Sequence, residues 1–348
     1  MKERIYSFDL IRAVCCWIIV ICHFGFSCLM SPTFADANKL VYHANGDWGE
    51  ITAVAVFFMI SGASLYYNHR EIHFADLKKF YYTRFKGIFP MFYLLWLFLF
   101  FQKAVAAHNL FYIGNKKSLI LTLFGMDGYL KYRFTYNYYI IGEWFLGALI
   151  FLYILYPLLT WGMKKCRWIV TAVLGLAFAA ILYRYTFMIP ITRNLITCLV
   201  SMWLGMLFIE YREFFSKTVF AVVFGIITLL LIFVSVPIPN TLSMIIMAMG
   251  ILLVLNRTAD TIMKPAPVKS FISLTSSLSY PIFLLQHIVI DQVLSIYEGQ
   301  TLGHFEEFLL LIMTFVVTYI FAIVLNLVNK AFVKTALFKK LDSLFITN

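Results

Sequence analysis

Charge is what this sequence has least of. Only 13% of its 348 residues are Asp, Glu, Lys or Arg, and 62% are hydrophobic. Soluble globular domains carry roughly twice that share of charge. With a mean hydropathy of +0.86, the shortage excludes a set of soluble domains and points to apolar runs long enough to span a bilayer. Linkers, low-complexity tracts and clear internal repeats are also missing. One transmembrane domain over residues 1–348 is therefore expected, with a short tail from about 332 to 348. No Cys-x-x-Cys pair occurs among the six cysteines at 15, 16, 22, 28, 166 and 198. That removes a zinc ribbon or a dithiol centre and leaves small packing residues within or beside apolar runs. The charged start, Met1 to Arg4, precedes an apolar run longer than a signal-peptide core and without a small-residue cleavage site. An uncleaved first span is expected.

What is present is a series of ten apolar runs. They fall at about 8–30, 47–67, 85–106, 138–161, 167–186, 191–210, 217–236, 240–256, 271–296 and 305–331, each read as a membrane helix. The fold class is thus an all-α polytopic membrane protein with about ten transmembrane helices in one bundle. A cytoplasmic N-terminus assigns 19 of the 28 Lys and Arg residues to inner loops and tails and 8 to outer ones, with Arg12 left in the membrane. This asymmetry predicts both termini inside. It also accounts for the net charge of +11 without nucleic acid, which is not an expected partner.

The first run carries an unusual pair. Arg12 and His23 are separated by ten residues, Ala13 to Cys22, that are almost all apolar. At 100° and 1.5 Å per residue, His23 returns to nearly the same helix face about 16 Å further along. An arginine costs about 2.5–3.5 kcal/mol at the centre of a membrane helix even on the lenient insertion scale. The pair therefore predicts a polar pathway inside the bundle.

These residues resemble a family. Asp9-Leu10-Ile11-Arg12 with His23 is similar to the first helix of the bacterial acyltransferase family 3, integral-membrane enzymes that O-acylate surface glycans and some small molecules. Phe57-Phe58-Met59-Ile60-Ser61-Gly62 resembles its Phe-Phe-x-x-Ser-Gly signature, and Arg84 followed by Pro90 its basic third helix. Trp144-Phe145-Leu146 with Tyr153 and Pro157, then Ser279-Tyr280-Pro281 with His287, continue the match in order. Gly87 stands where many members have a second arginine, and Leu149 where many have a glutamate. The resemblance implies an acyl-CoA donor, acetyl-CoA first, with no metal. It implies a cell-envelope glycan or lipid-linked saccharide as acceptor, membrane lipids as surroundings, and the bacterial plasma (inner) membrane as location.

The residues suit that chemistry. Acyl transfer to a hydroxyl needs a base for the hydroxyl proton and donors for the oxyanion. Histidine is the natural base, its unperturbed pKa being about 6.5. No Gly-x-Ser-x-Gly elbow or Ser-His-Asp pattern is visible, so direct transfer is expected rather than a serine acyl-enzyme. His23 is the expected base, against a packing histidine bonded to a carbonyl. Arg12 either pairs with Asp9, three residues back on the same face, or holds an anionic group of the donor; Asp9 orienting Arg12 satisfies both. Arg84 and Lys86 open the third span where the donor's phosphates would arrive, with plain positive-inside anchoring as the alternative. Ser61-Gly62 either permits close helix approach or lines the donor pocket.

Glu143 and Trp144 at the outer end of the fourth span, with Tyr280 and His287, are candidates for the acceptor side. The alternative for Glu143 is an interfacial carboxylate reaching into water. Asp291, four residues after His287, is placed to orient that imidazole. Residues 107–137 carry cations among tyrosines, an aromatic belt by default and a sugar platform otherwise. Ser118–Phe124 is too short to span. A transporter or flippase for a lipid-linked saccharide is the competing function, because buried Arg and His also suit substrate or proton coupling. Against it, no paired broken helices or inverted repeat is apparent.

Overall fold

The computed structural model describes residues 4–31, 33, 42–43, 46–113 and 115–346. Its elements pack as two compact units, residues 1–68 with 200–321 and residues 69–199 with 322–348. Among the described residues seven helices are long and apolar enough to cross a membrane, and three shorter apolar helices bring the number to the ten expected. The protein is thus an all-α polytopic membrane protein, with one two-residue antiparallel pairing, β1 (Tyr42–His43) with β2 (Gly46–Asp47), among the described residues.

The first unit is built on α1 (Tyr6–Met30) and α2 (Glu50–Asn68). The helices of the second unit come next in the chain: α3 (Leu77–Ala106), the short α4 (Leu119–Leu123) and α5 (Asp127–Leu130), α6 (Glu143–Lys165) and α7 (Arg167–Tyr183). The chain then re-enters the first unit with α8 (Leu195–Glu210), α9 (Arg212–Phe215), α10 (Thr218–Phe233), α11 (Asn240–Ile262), α12 (Ala266–Ser295) and α13 (His304–Phe332). A last amphipathic helix, α14 (Ala336–Phe345), packs on α3.

Within the first unit α1 is central, packed against α2, α11 and α12. Phe24 and Cys28 of α1 join Val289, Ile290 and Val293 of α12 in one apolar cluster, and Leu10 and Ala13 join Ala259 and Ile272 in another. Hydrogen bonds tie α1 to α13 and α11: Trp17 donates to the Tyr319 hydroxyl at 2.8 Å, and Ser7 donates to Asn256 at 2.8 Å. Small residues set the closest crossing. A Cβ on Gly62 of α2 would run into the Met202 carbonyl of α8, and one on Gly205 of α8 into the Met59 carbonyl of α2. The Ser61-Gly62 run therefore serves close helix approach, the usual role of small residues in membranes. Helix α13 has only 28% of its most apolar window buried, as a lipid-facing helix requires.

In the second unit, α6 begins five residues later than the 138 expected from hydropathy. Gly142 at φ +94° precedes it in a left-handed conformation that glycine adopts without a Cβ penalty. The third span differs more. Its helix starts at Leu77 rather than 85, so Arg84 and Lys86 lie two turns inside it and Pro90 is an interior proline, not an opening one. The basic segment 77–84 continues the helix because its Lys, Phe and Tyr side chains carry no breaker, and a membrane helix tolerates the single backbone bond that proline removes. The apolar stretch after Lys117 forms only α4, whose Ile120 and Leu123 are exposed. All six cysteines are free, and all but Cys166 are buried, in keeping with packing roles.

Candidate active site

His23 lies seven residues before the end of α1, and Glu50 is the first residue of α2. The two helices are consecutive and packed together, so the end of one meets the start of the next. His23 Nε2 is 3.6 Å from Glu50 Oε1, with the two side chains 12% and 17% exposed. The His287 ring, from α12, sits over His23 at 4.1 Å between centroids and a 39° tilt. Two imidazoles and a carboxylate from three helices thus meet in one partly buried place. The structure brings His287 to His23. The carboxylate it supplies there is Glu50, while Asp291 is an exposed residue of α12.

Fourteen residues earlier on α1, Asp9 is the centre of a second polar cluster. It is 4% exposed and accepts a hydrogen bond from Ser276 of α12 at 2.8 Å and one from Arg4 at 2.8 Å. Arg12 Nη1 lies 3.9 Å from the other carboxylate oxygen. Asp9 therefore contacts Arg12 as expected, but its shorter ionic contact, 2.7 Å, is to Arg4. Arg12 remains 27% exposed, and its position on the His23 stripe follows from helix geometry.

The remaining candidates divide between the units. Ser61 is half-buried on α2, and Tyr280, also half-buried, stacks on Phe283 of α12 at 6.3 Å. Arg84, Lys86, Glu143 and Trp144 belong to the second unit. There the Arg84 guanidinium lies 5.6 Å from the Phe80 ring and 5.9 Å from Tyr153. Both carboxylate oxygens of Asp342 in α14 accept from the Lys86 ammonium at 2.7 Å. Those bonds from Lys86 and the Tyr82 hydroxyl hold the Asp342 carboxyl below its usual range. Glu143, in a left-handed conformation at φ +42°, accepts from the Tyr139 hydroxyl. Trp144 is 2% exposed, with the Arg193 guanidinium 5.3 Å over its ring. Arg193 also donates to the Tyr132 hydroxyl at 2.8 Å, which ties the cation and aromatics of this segment into a fixed arrangement. Nearby, burial pushes the Asp127 carboxyl up to about 6, against the Thr122 hydroxyl and its own backbone amide.

Glu50, Ser276 and Arg4 were not singled out from sequence. An acidic residue opening an apolar helix is the signal that Glu50 shares with Glu143. Ser276 and Arg4 are brought to Asp9 by packing and by a turn of backbone, for which the sequence offers no spacing rule.

A polytopic α-helical protein with a half-buried Arg and His and a buried carboxylate on its first helix belongs to a class of membrane enzymes and carriers. Within that class the assignment is specific. The acyltransferase-3 family model, described as "Acyltransferase domain", matches residues 5–327, and the chain belongs to that family. It is a membrane acyltransferase. Comparison with curated proteins and with solved structures gives no match.

Proposed function

We propose that the protein moves an acyl group, acetyl in the first instance, from acyl-CoA to a hydroxyl of an envelope glycan or its lipid-linked precursor, with His23 as general base. The observation that carries this reading is the meeting of His23, Glu50 and His287, with His23 Nε2 3.6 Å from the carboxylate, in a chain of the acyltransferase family. His23 takes the acceptor's hydroxyl proton as the oxygen attacks the thioester carbonyl. The new ester C–O bond forms, the C–S bond breaks, and the coenzyme A thiolate leaves. The proton on His23 then passes to the thiolate, so the enzyme ends as it began. Glu50 stabilises the intermediate imidazolium. His287 lies close enough to His23 to touch either the acceptor or the oxyanion.

Arg12 belongs to the donor side of the proposal and Tyr280 to the acceptor side; Arg84, Lys86, Glu143 and Trp144 lie in the second unit, where Asp342 holds Lys86. The cation count supports a plasma-membrane orientation with both termini in the cytoplasm. His23 is then near the outer end of α1, about 26 Å from its start, and a cytosolic donor could modify an external hydroxyl. Purified protein in detergent tests the reading: acyl-CoA and an envelope-glycan fraction should give free coenzyme A and acylated glycan together. Thiol release that never exceeds the rate without protein overturns it.

A further inference from the structure

The end of α1 away from His23 opens on a cavity of about 490 Å³ that lies wholly within the first unit. Four cations line it: Arg4 before α1, Arg212 of α9, Lys217 before α10 and Arg257 of α11. One carboxylate, Asp260, lies among them, as do the tyrosines Tyr6 and Tyr67. Cations that merely obey the inside rule reach outward to headgroups one at a time. These come from three separated stretches of chain and converge on one concavity, of a size that takes a small ligand. Three of the four are anchored. Arg257 Nε donates to the Thr218 hydroxyl at 2.9 Å, Arg4 is held by Asp9, and Lys217 lies 5.6 Å from the Phe214 ring. Thr218 also places the first turn of α10, the positive end of a sixteen-residue helix, on the wall.

Guanidinium groups recognise phosphate through paired N–H donors. Tyrosine rings stack on nucleobases, and a carboxylate accepts from an exocyclic amine. We propose that this cavity binds a phosphate-bearing group. On the acyl-CoA reading given above, on which this part rests, that group is the phosphorylated adenosine end of the donor. The same phosphate chemistry is offered by the headgroup of an anionic phospholipid. Arg4 connects the cavity to the second polar cluster, since its partner Asp9 also touches Arg12 and Ser276. A donor seated by its nucleotide here would send its long arm along α1 past Arg12 toward His23.

The test is binding to the purified full-length protein in neutral detergent, with coenzyme A, adenosine 3′,5′-bisphosphate and a short-chain phosphatidylglycerol as probes. The wild type should bind coenzyme A, with adenosine 3′,5′-bisphosphate competing. The pair Arg212→Gln with Arg257→Gln should weaken coenzyme A at least tenfold, and Arg257→Lys less. Lys264→Gln, four residues after Asp260 in the chain and outside the cavity lining, should change nothing. Each variant is checked for a single monodisperse peak, and Arg257→Lys keeps the test valid if the double change fails to fold. Binding of phosphatidylglycerol alone, lost in the cavity variants, overturns the donor assignment and retains a phosphate site filled by lipid. Affinities for every probe that are blind to Arg257→Lys and the double change overturn the phosphate site itself. The function reading fails separately, by absence of thioester-dependent transfer in the wild type.

Discussion

The two ends of α1 are built on different principles. At one end, a histidine is enclosed by a second imidazole and a carboxylate, with 12% of its own side chain exposed. At the other, four cations face a wide cavity, and the polar atoms around them are mostly hydroxyls and amides. Proton transfer requires the first arrangement: few groups, close contacts and little water, so that a shift of charge is felt strongly. Holding a multiply charged anion requires the second, where several donors share a load that one buried arginine would carry only at high cost. A single helix joins them. If His23 acts as the proposed base and the cavity holds the proposed anion, chemistry and anchoring are separable along α1, and substitutions at its ends should act on different kinetic constants.

The largest effect is expected at the enclosed end. His23→Ala should insert normally and lose about 10²–10⁴-fold in kcat, the usual worth of a general base; steady-state transfer per folded protein measures it. Equal losses in KM and none in kcat would erase the contrast between the ends. A smaller effect is expected at Glu50. At 3.6 Å and an effective dielectric of about 20, the attraction for an imidazolium is on the order of 4 kcal/mol. Part of that, about 1.4–2.8 kcal/mol, corresponds to a tenfold to hundredfold loss of kcat in Glu50→Gln, with donor affinity unchanged. A donor-affinity defect in Glu50→Gln as large as that from the cavity variants would merge what the comparison separates.

The last effect concerns stability rather than rate, and lies in the second unit. Asp127 is 3% exposed, with burial pushing its carboxyl up to about 6 from an ordinary value of 3.8. A carboxyl raised on folding favours the folded state fully below about pH 4, and that contribution is lost as pH rises through 6. Asp127→Asn should therefore stabilise the protein by about 2–3 kcal/mol at pH 8 and leave it unchanged at pH 4. Thermal unfolding in detergent at the two pH values measures the difference; equal shifts at both would show that the effect is packing and not charge.

The spans were legible because apolar length is written directly in composition: all ten expected runs coincide with apolar helices. Their ends were less so. Leu77–Thr83 mixes lysine with aromatics, and no cap or breaker separates it from the apolar run that follows, so hydropathy alone placed the start of α3 eight residues late. His23, Arg12 and Asp9 were legible because they share one helix, where spacing fixes direction. Glu50 and His287 reach His23 only through the packing of α2 and α12 on α1, which no periodicity encodes. The cavity was harder still. Arg4, Arg212, Lys217 and Arg257 are scattered over 254 positions, and each alone passes for an inside-rule cation. Lys86 shows the reverse: it looked available to a donor, and Asp342 from the far end of the chain holds it.

The central claim is that His23 deprotonates the acceptor for direct transfer. Its most direct test uses isotope-labelled acetyl-CoA with purified wild-type and His23→Ala proteins, with and without an envelope-glycan fraction. Mass spectrometry then reads label on protein and on glycan. The account predicts label on the glycan alone with wild type, and on neither with His23→Ala. Labelled glycan at wild-type rate from His23→Ala, or an acylated wild-type protein that passes its label to added glycan, would contradict it.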